Sequence, residues 1–280
     1  MLKITETEVF GWKAAIRGMR NAHESWDKSD SFIPCQIKTK CHECEVNQKC
    51  AYYFENGEPY KKGEFIGPND LALMKKLVAA GTDHSKFMRM IHVQCDWEAP
   101  LYTWKEIETY KVGTVKNSCS TMHTIMNHEF TMDMFSHEHL CKTADDVYEE
   151  FCDYMESLGN PRDEFGVISP YRLLQDDIIE LNAWRDFYLY YKKKPHKDQK
   201  AHEENLKKIW WQIIQRLGSN YNQKATMDLN YQVLRNMYHS RKNHKQDEWR
   251  VDFVNWVNAL PYHELITMTK EELLERIKEE

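Results

Sequence analysis

The sequence predicts an α+β fold, rich in helix and with a small, mostly antiparallel sheet packed by helices. Three observations lead there. Apolar residues recur at three- and four-residue spacing over most of the chain, the period of a helix that buries one face. Only two runs, Met90 to Trp97 and Tyr221 to Leu229, have the β-branched or alternating character of strands. Nowhere do strand and helix patterns alternate regularly, so α+β fits better than a doubly wound parallel sheet. An apolar content of 41% and an aromatic content of 12% are those of a folded chain. At 280 residues, folding would bury roughly three quarters of the surface of the unfolded chain.

Taken in order, the first helix is expected near Glu6 to Arg20, on the spacing of Val9, Trp12, Ile16 and Met19. Residues 32–66 break the pattern, with four cysteines, Gly57, Pro59, Gly63 and no sustained period, and read as an irregular Cys-rich insert within a single domain spanning 1–280. Pro68-Asn-Asp70 opens a helix through Ala80, with Asn69 or Asp70 as its N-cap and Gly81 as its stop. Pro100 opens the next, over Leu101 to Lys111, because proline suits a first helical turn. Thr143-Ala-Asp-Asp and Ser169-Pro mark two further N-termini, the second starting a long run to Tyr191. After the hinge Lys192-Lys-Lys-Pro-His-Lys come helices at about Gln199 to Leu217, Tyr231 to Arg241, Gln246 to Ala259 and Thr269 to Glu280.

Charge and cysteine usage narrow the function. The formal charge of −6 argues against wholesale coating of nucleic acid, while leaving room for a small anionic ligand held by a few local cations. No window supplies the roughly 18 apolar residues of a membrane span, and the start carries no export signal, so a reducing cytoplasm is expected. In that setting Cys95, Cys119, Cys141 and Cys152 read as small buried residues and not as a disulfide framework.

Cys35-x5-Cys41-x2-Cys44-x5-Cys50 is the sharpest local signal, because four thiolates can close a structural zinc shell around one ion. An iron–sulfur cluster uses the same ligands, and free loop thiols are the plainer alternative. His123, His128, His137 and His139 lie among methionines and invite a copper reading, but their spacings fit no single helical face, and core methionines account for them. Lys111 and Lys116 flank Gly113 and precede Asn117-Ser-Cys-Ser120. Two ammonium groups, a flexible glycine and small hydroxyls can hold a phosphate, although lysines beside a glycine also mark an ordinary solvated helix end.

A longer pattern ties these pieces together. From Leu217 it is thirteen residues to Asn230, and Leu234, Asn236 and Arg241 follow four, six and eleven beyond, with Gln246 and Glu248 after them. Together with Ala14-Ala-Ile-Arg17-Gly-Met-Arg20 and His84-Ser-Lys-Phe87-Met-Arg89, this order resembles the flavin-dependent thymidylate synthases. The departures are specific. Where the family has Arg-His-Arg, this chain has Thr109-Tyr110-Lys111, and Gly218 replaces the proline of a Leu-Pro pair. Asn117 and Ser120 keep their mutual spacing, but the later family arginine is missing, with Lys116 or Arg89 as substitute cations. A lysine lacks the bidentate fork of arginine.

The resemblance implies a thymidylate-synthase-complementing-like fold and an enzyme in which reduced FAD moves a hydride to dUMP while folate supplies one carbon. It implies Arg241 as the catalytic group that stabilises charge on the pyrimidine. It implies Lys111, Lys116, Asn117, Ser120 and Arg89 toward the nucleotide, and Asn230, Asn236, His84 and Gln246 toward the flavin. It also implies a homotetramer. A non-catalytic homologue that keeps the scaffold to bind a nucleotide or a protein is the alternative. A zinc-stapled nucleic-acid binder rests on Cys35, Cys41, Cys44 and Cys50 alone, and the charge balance opposes it.

Overall fold

The computed structural model describes residues 1–31, 66–159 and 169–279. The fold is α+β: helices dominate, and four strands pair in the order β1–β2–β4–β3. In chain order these are β1 (Lys3–Phe10), α1 (Trp12–Arg20), α2 (Pro68–Ala79), β2 (His92–Pro100), α3 (Leu101–Ile107) and β3 (Val115–Ser118). They are followed by α4 (Asp146–Ser157), α5 (Pro170–Lys193), α6 (Gln199–Arg216), β4 (Asn222–Asn230) and α7 (Tyr231–Arg241). A π-helical turn (Glu248–Phe253) and the helices Val254–Asn258, Glu264–Thr267 and Lys270–Glu279 complete the chain. β2 and β4 are antiparallel: Tyr231 N–H donates to Ile91 C=O at one end and Leu101 N–H to Tyr221 C=O at the other. Residues 32–65 of the insert, and with them Cys35, Cys41, Cys44 and Cys50, lie outside the described residues.

Two compact units make up the described chain. One contains Met1, Glu98–Ile107 and Ser118–Ala225. Its core is built by Phe130, Phe135, Leu174, Ile178, Leu181 and Ile213, and the hairpin of α5 and α6 supplies the last four. Both helices start where side-chain oxygens can take an orphan amide: Ser169 accepts from Arg172 N–H and Asp198 from Ala201 N–H. The other unit contains Leu2–Trp97, Glu108–Asn117 and Thr226–Glu280, and carries the candidate site. Its interior holds Trp12, Met74, Met88, Trp97, Tyr231, Leu234, Trp249 and Phe253, none more than 1% exposed.

Three expectations are corrected. The helix expected from Glu6 begins only at Trp12, because Ile4-Thr-Glu-Thr-Glu-Val-Phe10 forms the edge strand β1. Gly11 makes the corner at φ +98, and a Cβ there would sit 2.0 Å from Met90 O, so no other residue turns the chain so tightly against that backbone. Neither Asn69 nor Asp70 caps α2, whose N-cap is Gly67. The cap comes from far away in sequence: the Asp30 carboxylate accepts from Asn69 N–H at 2.9 Å and Asp70 N–H at 3.1 Å. The cysteines divide as well. Cys95 and Cys152 are buried, Cys141 is half-buried and Cys119 exposed; burial pushes the Cys95 thiol up to about 12.

Among the described residues no helix is long and apolar enough to cross a membrane. Nor do three His, Cys, Asp or Glu side chains among them gather as a metal site.

Candidate functional site

The site is built where α7 meets the turn between α3 and β3. Asn230 closes β4 and caps α7, its Oδ1 accepting from Val233 N–H at 3.0 Å, which leaves the remaining first-turn amides as a positive helix end. Its other side-chain atom reaches the turn: Nδ2 donates to Gly113 C=O at 3.4 Å. Gly113 sits at φ +75, and a Cβ there would lie 2.7 Å from Asn230 Nδ2 and 3.1 Å from Val233 Cγ2. The backbone approaches the helix this closely because the residue has no side chain. Gly113→Ala is expected to cost about 1–2 kcal/mol through the left-handed backbone alone, with displacement of the turn from α7, read by urea denaturation.

At the other end of α7, Arg241 Nε donates to Tyr110 Oη at 3.0 Å. The guanidinium carbon lies 5.6 Å from the Tyr110 ring centroid and 5.1 Å from that of Trp249, so the cation is bracketed by two aromatic faces. Tyr110 stands in the stretch where the resembled family has its Arg-His-Arg, and here its hydroxyl serves the arginine of α7. Lys116 is paired with Glu108 at 2.6 Å, which braces the turn and neutralises that ammonium. Lys111 is exposed at the tip and takes no partner among the described residues. Asn117 is exposed on β3.

The His84-Ser85 segment is tied to the first turn of α7. Ser85 Oγ donates to Gln232 Oε1 at 3.0 Å, and Gln232 Nε2 donates to Asn236 Oδ1 at 3.1 Å. Ser85 and Gln232 are buried, so this chain orients the exposed Asn236 amide from beneath. Phe87 and Met88 anchor the 3-10 turn Lys86–Met90, leaving Arg89 exposed. His84, also exposed, lines a cleft of about 1140 Å³ with His23, Lys86, Phe87 and residues of α2.

Besides His239 Nε2, two buried polar atoms of this unit stand out. Gln246 Oε1 and Thr114 Oγ1 are buried and find no hydrogen-bond partner among the described residues. An unmet buried acceptor is costly, and a ligand N–H would relieve it. The amides of Asn236 and Gln246 and the exposed ammonium of Lys111 are the chemistry that a heterocyclic ring and an anion call for. The described residues do not assemble the forked arginine clamp that a flavin diphosphate would use.

Of the residues singled out from sequence, Asn230, Asn236, Lys111, Lys116, Asn117, Gln246 and Arg241 all belong to this unit, as do His84 and Arg89. Ser120 belongs to the other, where it precedes a single helical turn, Thr121–Thr124, and its carbonyl accepts from Thr124 Oγ1. Sequence reasoning missed Tyr110, Gln232 and Trp249. Tyr110 and Trp249 read as aromatic packing residues, and Gln232 carries no signal apart from standing four residues before Asn236 on one helix face.

No protein-family model matches the sequence, and no curated protein does. Solved structures do match in fold. Thymidylate synthase X from Helicobacter pylori, with FAD and dUMP, superposes with a TM-score of 0.52 at 12% identity, covering 95% of this chain and 96% of that one. A second structure of the flavin-dependent enzyme from Helicobacter pylori, complexed with FAD and dUMP, gives the same TM-score and identity over 94% and 96%. A UMP/dUMP methylase from Streptomyces cacaoi, bound with 5-Br dUMP, matches at a TM-score of 0.47 and 11% identity over 99% and 95%. What is shared at this identity is the architecture: the chain has the fold seen in flavin-dependent thymidylate synthase.

Proposed function

We propose that this protein is a divergent flavin-dependent-thymidylate-synthase-like enzyme acting on a pyrimidine nucleotide of the dUMP kind, by hydride or one-carbon transfer. One observation carries the reading: Asn230 and Arg241, the two ends of the motif on α7, both hold the 110–113 turn, through Gly113 O and Tyr110 Oη. In this reading the amino end of α7 and Lys111 take the phosphate, helped by Asn117 and Arg89. Arg241 stabilises negative charge as it develops on the pyrimidine. FAD, when bound, supplies the hydride, with Asn230, Asn236, His84 and Gln246 orienting its ring. The homo-oligomer that the resemblance implies belongs to the same proposal.

The test is binding and turnover together. dUMP or FAD present at 100 times its dissociation constant should raise the unfolding free energy by about 2.7 kcal/mol. Turnover of dUMP with reduced flavin should be lost in Arg241→Ala while the fold is kept. A protein that gains no stability from either ligand overturns the reading. Tyr110 favours a second one, a nucleotide-binding homologue without catalysis, because it replaces part of the Arg-His-Arg and holds Arg241 in an aromatic bracket. Stabilisation by dUMP without any turnover would select it.

A further inference from the structure

A second concavity lies on α1, built from residues that the nucleotide reading does not use. Its volume is about 380 Å³, within the range of small-molecule sites. Ile16 forms its apolar floor, Trp26 stands at its edge, and Lys13 and Arg17 flank it one helical turn apart.

The two cations are unspent. Both are exposed, and neither takes an ion pair or hydrogen bond among the described residues. Lys13 is in the first turn of α1, where the helix dipole disfavours a positive charge, and that turn holds no acidic residue to offset it. Helix stability therefore does not account for Lys13. Trp26 is 49% exposed, so about half of its surface remains in water and part of a flat ring is available for stacking.

The ring is nonetheless held in place. Trp26 Nε1 donates to Asn21 Oδ1 at 2.9 Å. The loop that carries it is folded around Arg20, whose guanidinium donates to Ser25 C=O and Lys28 C=O, each at 3.1 Å, and to Asp70 at 2.6 Å. The second oxygen of Asp70 accepts from Ser29 and Ser31 Oγ at 2.6 Å each. A buried ion pair with four further bonds orders a surface loop that presents a half-exposed tryptophan beside two cations unpaired among the described residues. Such rigidity lowers the entropy that a ligand would otherwise lose on binding.

We infer that this hollow is a binding site for a small planar aromatic anion. The ring stacks on Trp26 over Ile16, and the phosphate or carboxylate is met by Lys13 and Arg17. The site is independent of the α7 surface and of any flavin.

The test reads the Trp26 indole N–H resonance of the full-length protein, assigned by its loss in Trp26→Phe. Titration with AMP and with pterin-6-carboxylate should shift it, one arm carrying a phosphate and the other a carboxylate. Adenosine, without the anion, should bind about tenfold more weakly, and Lys13→Gln and Arg17→Gln should each weaken the charged ligands by about the same factor. Both positions are exposed, so these variants keep the fold. A response from one arm narrows the anion to that class. Arg241→Ala should leave the response untouched, which separates this site from the nucleotide reading. The inference is overturned if neither charged ligand moves the resonance, or if adenosine binds as tightly as AMP.

Discussion

Replacing Trp249 by alanine should cost about 3–5 kcal/mol of stability and loosen the candidate site at the same time. The side chain is fully buried. It meets Phe253 edge-on with centroids 5.3 Å apart, lies 6.4 Å from the Tyr110 ring, and forms one wall of the bracket around Arg241. Alanine would leave a cavity at the junction of α7 and the 110–113 turn and remove the cation–π partner of Arg241. It also sits in the π-helical turn Glu248–Phe253, a local widening of the kind that often accompanies functional sites. Urea denaturation should show a lower midpoint with an unchanged slope. Trp249→Phe should recover part of the stability, and under the proposed function dUMP affinity should follow the order wild type, Phe, Ala. A loss below about 1 kcal/mol for the alanine variant would mean that the ring does not support the site.

Asp70→Ala should cost a similar amount, about 3–5 kcal/mol, because it strands the Arg20 guanidinium in the interior. Asp70 is 0% exposed and Arg20 5% exposed, so neither charge can recover its hydration without local unfolding. The substitution also frees the Ser29 and Ser31 hydroxyls. Two readouts separate the global effect from the local one. The thermal midpoint should fall, and amide exchange should accelerate most in residues 21–31, whose loop depends on this pair. Asp70→Asn keeps the shape but not the charge and should destabilise less. If Asp70→Ala leaves exchange in that loop unchanged, the ion pair does not organise it.

Much of the architecture was legible in the sequence. Local signals placed α5, α6, α7, β2 and β4 within a few residues, because each rests on its own apolar period and its own cap. Ser169, marked in the sequence as a helix N-terminus, accepts the amide that this position predicts. The order of Asn230, Asn236 and Arg241 on α7 was equally readable, since residues on one helix are arranged by its pitch alone. Local pattern failed wherever the partner was remote. β1 looks like the start of a helix, its apolar spacing running on into α1, until Gly11 is set against the Met90 backbone. The cap of α2 is an aspartate forty residues earlier in the chain.

The sequence by itself determined that the chain is α+β, where its long helices begin, and which residues of α7 share one element. Periodicity and capping act within a few residues, so one dimension is enough to state them. Only the tertiary structure decided that Tyr110 and Trp249 enclose Arg241, that Lys116 is neutralised by Glu108, and that Asp70 is a buried counter-ion and not a cap. Those outcomes depend on which distant groups lose water together. Burial sets whether a charge must be paired, and burial is a property of the packed chain.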